Sequence, residues 1–197
     1  SLPSPSSLLQ KLRETSSESI LSTPWPSRRD EPFRFTDLSI LRNSQIIPIS
    51  HPPNPSRISA INLHTQFPHL TIVDGHLVQS SEFQKGVYVG SLSGLAPDIT
   101  ERVSEFVGGF DGGDLFWSIN GIGAPDVTVV YVPEGCRVES PIHLGYFAME
   151  GGSGERMKVS NPRVVVVVEK GGEVDIIEEF SAIEGNDDQC YWTNSAL

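Results

Sequence analysis

The sequence predicts a mainly β protein whose strands repeat along the chain after a helical start. Residues 127–132 and 164–168 are β-branched runs bounded by turn residues, without the clean alternation of a half-exposed strand. Residues 132–138 match residues 168–174 at an offset of 36, and each copy predicts a strand, a glycine turn and a second strand. Such repetition suits a β-solenoid. A β-sandwich with two similar hairpins explains two copies equally well.

Local signals define the elements at the start of the chain. Leu8, Leu9 and Leu12 recur at helical spacing and predict a helix. The prolines that flank Trp25 end it, because proline lacks a backbone donor and disfavours helical geometry in the residue before it. A cluster of prolines then predicts an extended connector over residues 47–56.

The middle of the chain combines a hairpin, a short strand and a short helix. Asp74-Gly75 separates two apolar runs over residues 70–78, and this dipeptide suits the positive φ angles of a type I′ turn. Residues 86–90 predict another strand. Asp98 is expected to cap a helix that continues to about Phe106. Loops are predicted at the glycine-rich residues 108–113 and 151–154.

Composition excludes several classes of protein. The 197 residues suffice for one domain or for a domain with an appendage. The chain has 14 basic and 25 acidic residues and a formal charge of -11, which argues against a nucleic-acid partner. No apolar run reaches the roughly 18–20 residues that cross a bilayer, so no membrane partner is expected. Two cysteines are too few for a disulfide scaffold and fit a reducing compartment.

Changes in composition divide the chain into three parts. Residues 1–30 are expected to form a flexible or short helical segment, residues 31–113 a mixed α/β region, and residues 114–197 the start of an incomplete β-helix core. The Ser- and Pro-rich beginning is typical either of the tail of a cleaved targeting peptide or of a flexible terminus before a short helix.

No residue spacing predicts a metal or nucleotide site. Neither residues 108–113 nor residues 121–123 fit a phosphate-binding motif, so nucleotide binding is not expected. Thiolates are the ligands that iron–sulfur chemistry uses, but Cys136 and Cys190 lie 54 positions apart and are expected to be passive. The histidines also lack metal-ligand spacing, and they are His51, His64, His69, His76 and His143.

Carboxylates cluster near the end of the chain, at Glu178-Glu179 and Asp187-Asp188. Paired acids would suit a β-solenoid enzyme that acts on polysaccharides. Neighbouring residues of a strand point to opposite faces, however, so Glu178 and Glu179 cannot both face one substrate. A solvated acidic strand edge is the better interpretation. The sequence therefore predicts no catalytic, cofactor-binding or metal-binding residue.

Several ordered motifs resemble the SufB/SufD family. Residues 31–38 (EPFRFTDL) resemble its entry motif, and residues 116–126 (FWSINGIGAPD), 130–135 (VYVPEG) and 140–144 (SPIHL) resemble its central block. Residues 161–165, 169–173 and 177–180 are similar to the block that follows. The variants at 117–121 and 191–194 resemble plant plastid SufD members of the family. Together the motifs extend from about residue 31 to residue 194.

This resemblance implies a right-handed parallel β-helix preceded by a helical and mixed region, with the chain ending inside the β-helix. It implies a non-catalytic scaffold, partnered by a SufB-like subunit and a SufC-like ATPase, that serves iron–sulfur cluster assembly. The cluster belongs to the complex, and no cofactor is expected on this chain itself. The implied location is the chloroplast stroma, with a bacterial-type cytoplasm as the alternative.

The family's chains continue beyond the point that corresponds to Leu197, and the regions tied to partner binding and cluster assembly lie there. No functional residue can therefore be transferred to a position in this sequence. Two other functions stay open. One is a β-solenoid carbohydrate-active enzyme, and the other is a truncated fragment without independent activity.

Overall fold

The computed structural model describes residues 4–59, 61–107, 113–153, 155–183 and 189–197. Five α-helices are present in these ranges: α1 (Pro5–Ser22), α2 (Ser39–Asn43), α3 (Pro55–Ile58), α4 (Pro97–Ser104) and α5 (Leu115–Gly123). Two short 3₁₀ helices cover Glu31–Phe33 and Leu92–Gly94. The strands are β1 (Gln45–Pro48), β2 (His69–Val73), β3 (His76–Ser80), β4 (Tyr88–Ser91), β5 (Thr128–Val132), β6 (Ile142–Ala148), β7 (Arg156–Ser160), β8 (Val164–Val168), β9 (Ile176–Ala182) and β10 (Trp192–Thr193). No described helix is long and apolar enough to span a bilayer.

The strands form three sheets. From β5 onward the chain adds one strand to each sheet in turn and then repeats that order. The sheet orders are β1-β7-β10, β3-β2-β6-β9 and β4-β5-β8. We call β5, β6 and β7 the first turn and β8, β9 and β10 the second turn. Each strand of the first turn pairs in parallel with its counterpart in the second. The mainly β fold with a helical and mixed beginning is therefore confirmed, while a right-handed parallel β-helix stays a prediction.

The 36-residue repeat corresponds to the step from the first turn to the second within the β4-β5-β8 sheet. Thr128 pairs with Val164 across β5 and β8, and these residues lie 36 positions apart. Parallel pairing of the two copies excludes the sandwich of two antiparallel hairpins. Gly135 and Gly171 adopt φ angles of 67° and 69°, a left-handed conformation that glycine adopts without strain. Their equivalent positions in the two turns confirm the predicted glycine turn.

Both faces of the β4-β5-β8 sheet are buried, as the β-branched runs predict. On one face, Val129 and Val167 pack with Leu8 and Leu12 of α1 and with Val103 of α4. On the other face, a second core forms with residues of the β3-β2-β6-β9 sheet. Its fully buried members include Val130, Val132, Leu70, Ile142 and Leu144. Strand alternation thus sends successive valines of β5 into two different cores.

Local turn chemistry is confirmed at most of the predicted places. Helix α1 begins at Pro5 after the N-cap Ser4 and ends at Ser22, directly before Thr23-Pro24. Strands β2 and β3 form the predicted hairpin, with φ of 46° at Asp74 and 85° at Gly75.

Other predictions need correction. The N-cap of α4 is Ala96 rather than Asp98, because Pro97 occupies the first helical position and Asp98 lies within the first turn. The connector over residues 47–56 is only partly extended coil, since β1 pairs in parallel with β7 and α3 begins at Pro55.

The glycine-rich segments differ from the predicted loops. Gly152 is buried and forms a β-bridge with Cys190, so part of the segment 151–154 is fixed in place. Residues 108–112 and 154 lie outside the described residues. Helix α5 was not predicted, although Asp114 caps it by accepting a hydrogen bond from the backbone N–H of Trp117 at 2.9 Å.

The part of the chain before the first turn supplies a neighbouring strand to each sheet. Strand β1 pairs with β7, β2 pairs with β6, and β4 pairs with β5. The division into residues 1–30, 31–113 and 114–197 stays a prediction.

Candidate functional site

The second turn presents an apolar and acidic edge. In each sheet its strand lies at the end of the strand order, so β8, β9 and β10 have a pairing partner on one side only among the described residues. Four large apolar side chains of this turn are exposed, and we call them the second-turn edge: Val168, Ile177, Phe180 and Leu197. Strand edges with apolar side chains are the surfaces to which further strands or other chains add.

The two neighbouring glutamates of β9 face opposite sides of the sheet, as strand alternation predicts. The hydroxyl of Tyr146 donates a hydrogen bond of 2.9 Å to Glu178 on the core side. Burial, aided by Glu178, raises the pKa of Tyr146 above its ordinary value and keeps this donor protonated. Glu179 lies on the outer side, 3.0 Å from His143. The predicted pair therefore does not converge on one substrate, and Asp187-Asp188 lies outside the described residues.

Parallel pairing brings two of the five histidines together on the outer face of the β2-β6-β9 sheet. His69, His143 and Ile177 occupy paired positions on the three strands. The His143 side chain is only 8% exposed, and its Nε2 atom lies 3.0 Å from Glu179 Oε2 without hydrogen-bond alignment. His143 lines the floor of an open depression of about 650 Å³, beside His64.

No metal centre arises from these groups within the described ranges, where no cluster of three or more His, Cys, Asp or Glu side chains could hold an ion. His51 lies elsewhere, where its Nε2 atom contacts Glu150 at 2.7 Å. Cys136 and Cys190 are both free thiols, and the former accepts a hydrogen bond of 3.1 Å from Gln84. The structure therefore brings neither thiol into a ligand set.

A buried polar network fixes α5 against both turns. Asn120 of α5 donates hydrogen bonds to the carbonyls of Pro162 at 2.8 Å and Asn194 at 2.6 Å, and it accepts one from Arg163 at 3.0 Å. Desolvation lowers the pKa of Arg163 to about 10, so the guanidinium stays charged at neutral pH, stacked 4.3 Å from the ring of Trp117. Sequence reasoning missed this network.

A recurring asparagine is the one signal in the sequence that points to this network. Asn161 and Asn194 follow β7 and β10 at equivalent positions, and the Asn194 amide donates to Asn161 Oδ1 at 3.2 Å. Their spacing of 33 differs from the 36-residue repeat of the glycine turns, which hides the relation in the sequence.

Comparison with known proteins decides which family this architecture belongs to. The family model described as SufBD protein N-terminal region matches residues 3–144. The chain belongs to the SufBD family. The resemblance seen in the sequence motifs is therefore confirmed. The SufBD match includes α1 to α5 and β1 to β5 and ends within β6, so the second turn lies beyond it.

Curated SufBD relatives extend the comparison to almost the whole chain. It is 54% identical over 201 residues to "Protein ABCI7, chloroplastic" of Arabidopsis thaliana, covering 99% of this chain and 42% of that protein. It is 27% identical to an iron-sulfur cluster assembly SufBD family protein of Synechocystis sp., over 91% of this chain and 41% of that protein. It is 26% identical to iron-sulfur cluster assembly protein SufD of Escherichia coli, over 84% and 38%. The chain thus spans about two fifths of the length of these relatives.

Proposed function

We propose that this chain is part of a non-catalytic scaffold subunit in a SufB–SufC–SufD complex that assembles iron–sulfur clusters. The observation that carries the proposal is its membership of the SufBD family over residues 3–144. Two relatives named for iron–sulfur cluster assembly support it. The partners are then a SufB-like subunit and a SufC-like ATPase.

The geometry supports a mechanical role. Strand β5 of the first turn packs between two hydrophobic cores, and the buried Asn120–Arg163 network ties α5 to both turns. Packed cores deform little, so a platform of this kind can hold a partner in a fixed orientation while ATP hydrolysis changes the rest of the complex. Opposed Glu178 and Glu179 give no support to the alternative of a carbohydrate-active enzyme.

The iron–sulfur cluster is the product of the complex in this proposal, and this chain supplies none of its ligands. Cys136 and Cys190 are unpaired and belong to no ligand set among the described residues. We place the complex in the chloroplast stroma. The chloroplastic relative from Arabidopsis thaliana supports a plastid location.

Co-purification tests the proposal. The full-length protein that contains this chain would be produced with SufB-like and SufC-like subunits, and residues 1–197 would be produced with them in parallel. We expect the full-length protein to form a defined complex in size-exclusion chromatography. Cys136→Ser and Cys190→Ser variants should keep the complex and its iron and sulfide content. Failure of the full-length protein to assemble would refute the scaffold function.

Success of residues 1–197 alone would show that an interface lies within them. Failure of this shorter chain beside a successful full-length control would place the interface elsewhere in the protein. A loss of iron with either cysteine variant would instead make that thiol a cluster ligand.

A further inference from the structure

An arginine-rich segment follows Pro26 in this acidic chain. We call residues 27–43 the arginine arm, and its basic residues are Arg28, Arg29, Arg34 and Arg42. These are four of the 14 basic residues of the chain, whereas only three of its 25 acidic residues lie in the arm. The arm therefore has a net charge of +1 and the rest of the chain -12. It also contains the motif EPFRFTDL, for which the proposed scaffold role gives no reason.

The arm is anchored to the body of the protein at three places. The ring of Trp25, just before it, meets Phe116 of α5 edge to face at 6.1 Å between centroids. Within the arm, Phe33 packs against the same ring at 5.6 Å. At its end, Gln45 begins β1, which pairs with β7. These contacts fix the backbone of the arm against the rest of the protein, and its exposed side chains therefore have a defined position.

The two phenylalanines of the EPFRFTDL motif differ in burial, since Phe33 packs against the protein and Phe35 is exposed to solvent. Phe33 is half-buried, whereas Phe35 is 95% exposed, the most exposed large apolar side chain among the described residues. The guanidinium of Arg34 lies 5.9 Å from the centroid of its ring. Ile40 of α2, also in the arm, is 57% exposed. Exposed aromatic and arginine side chains together are the composition of interface hot spots.

Two of the three acidic residues of the arm, Asp30 and Asp37, accept local hydrogen bonds, and all four arginines are exposed. Asp30 accepts hydrogen bonds from the backbone N–H of Ser27 at 2.7 Å and from its hydroxyl at 3.0 Å. Asp37 accepts one from the backbone N–H of Ser39 at 2.9 Å. These bonds to Ser39, with a small contribution from Arg28, keep the pKa of Asp37 below its ordinary value. Within the described residues, no arginine of the arm forms an ion pair.

We propose that the arginine arm docks onto an acidic protein surface of a partner subunit, with Phe35 inserted into an apolar pocket there. The inference rests on the proposed scaffold function and adds a site to it. Charge complementarity selects a carboxylate-rich surface, because the four exposed arginines of the arm form no ion pair within the described residues and Arg34 lies beside the exposed ring of Phe35.

Affinity measurements on the full-length protein test this site. Phe35→Ala and a variant with all four arm arginines changed to Gln would be titrated against the complex of the SufB-like and SufC-like subunits at low and high salt. Both substituted sets are exposed, and circular dichroism would verify folding. We expect Phe35→Ala to raise Kd about tenfold or more. The arginine variant should raise Kd and flatten its salt dependence. Leu21→Ala and Arg137→Gln, exposed residues outside the arm, are matched controls and should change Kd less than twofold.

The outcomes separate this inference from the proposed function. If the unsubstituted protein binds and both arm variants bind with unchanged Kd, the arm inference is wrong and the scaffold function stands. If the unsubstituted protein does not bind at all, both are wrong. If the arm variants instead abolish self-association measured without partners, the occupant is a second copy, and the inference of a partner subunit is overturned.

Discussion

The first and second turns have the same order of strands, but their paired strands β6 and β9 have opposite degrees of burial. Six of the seven residues of β6 are buried, whereas none of the seven residues of β9 is buried, although the two strands pair along their whole length. Leu144 is fully buried, and the residue paired with it is Glu178. The end position in its sheet leaves β9 exposed, whereas β8, also at the end of its sheet, keeps three of its five residues buried because α1 and α4 pack against it. The first turn has neighbours on both sides, and the second has a described neighbour on one side only.

Two paired isoleucines provide the most direct test of this difference. Ile142 in the first turn is fully buried, and its partner Ile176 in the second is half-buried. We expect Ile142→Ala to lower the free energy of unfolding by about 2–5 kcal/mol, through lost transfer energy and the cavity left behind. Ile176→Ala should cost less than half as much. Urea denaturation measures both, and equal losses would contradict the contrast between the turns.

A buried carboxylate in the β2–β3 hairpin, beside the first turn, makes the stability of the fold depend on pH. Asp74 accepts a hydrogen bond of 3.0 Å from the N–H of Met149, directly after β6. The second turn has a backbone bond at the equivalent place, from Ile183 to the carbonyl of Ala148. Desolvation raises the pKa of Asp74 from 3.8 to about 6. The folded chain therefore binds more protons than the unfolded chain between these values.

The contribution of protonated Asp74 to the free energy of unfolding is thus fully present below pH 3.8 and is lost as pH rises through 6. We expect the wild type to lose roughly 2–3 kcal/mol across this interval relative to Asp74→Asn, which keeps an acceptor for Met149 but does not titrate. Chemical denaturation of both proteins from pH 4 to pH 7.5 measures the difference. If the difference in unfolding free energy between the two proteins stayed constant over this range, the pKa of Asp74 would not be raised.

Gly135 and Gly171 should contribute equally to stability, because their surroundings are similar although the strands beside them differ in burial. A Cβ at Gly135 would meet no atom within 4 Å, and one at Gly171 would come no closer than 3.8 Å. Alanine at either position therefore costs only the left-handed backbone, about 1–2 kcal/mol. Urea denaturation should give equal losses for Gly135→Ala and Gly171→Ala. A much larger loss of unfolding free energy for Gly135→Ala would mean that the connection between β5 and β6 is also more tightly packed than the one between β8 and β9.

Signals carried by neighbouring residues were sufficient to predict much of the fold. Proline after Thr23, the Asp74-Gly75 dipeptide and the glycines at 135 and 171 each act through their own backbone geometry. The opposed directions of Glu178 and Glu179 also follow from strand alternation alone. These features need no knowledge of which distant segments pair.

Features that depend on distant pairing could not be predicted. β1 becomes a strand only because β7, more than 100 residues later, pairs with it. The contact of His143 with Glu179 depends on a register of 34 residues between β6 and β9, which differs from the visible repeat of 36. Helix α5 is rich in glycine and becomes fixed through Asn120, whose partners lie in later loops.

The unequal spacing of paired residues has a consequence for how such chains can change length. Paired residues lie 36 positions apart in the β5–β8 pair, 34 in β6–β9 and 33 in β7–β10. The segment between β5 and β6 has nine residues, and the one between β8 and β9 has seven. The segments between strands, which we call corners, can therefore change length without disturbing the sheets. A single deletion inside a strand would instead move the side chains that follow it to the opposite face of the sheet. A spectroscopic label or an epitope tag placed at the corner between β8 and β9 should consequently leave the strand pairing intact.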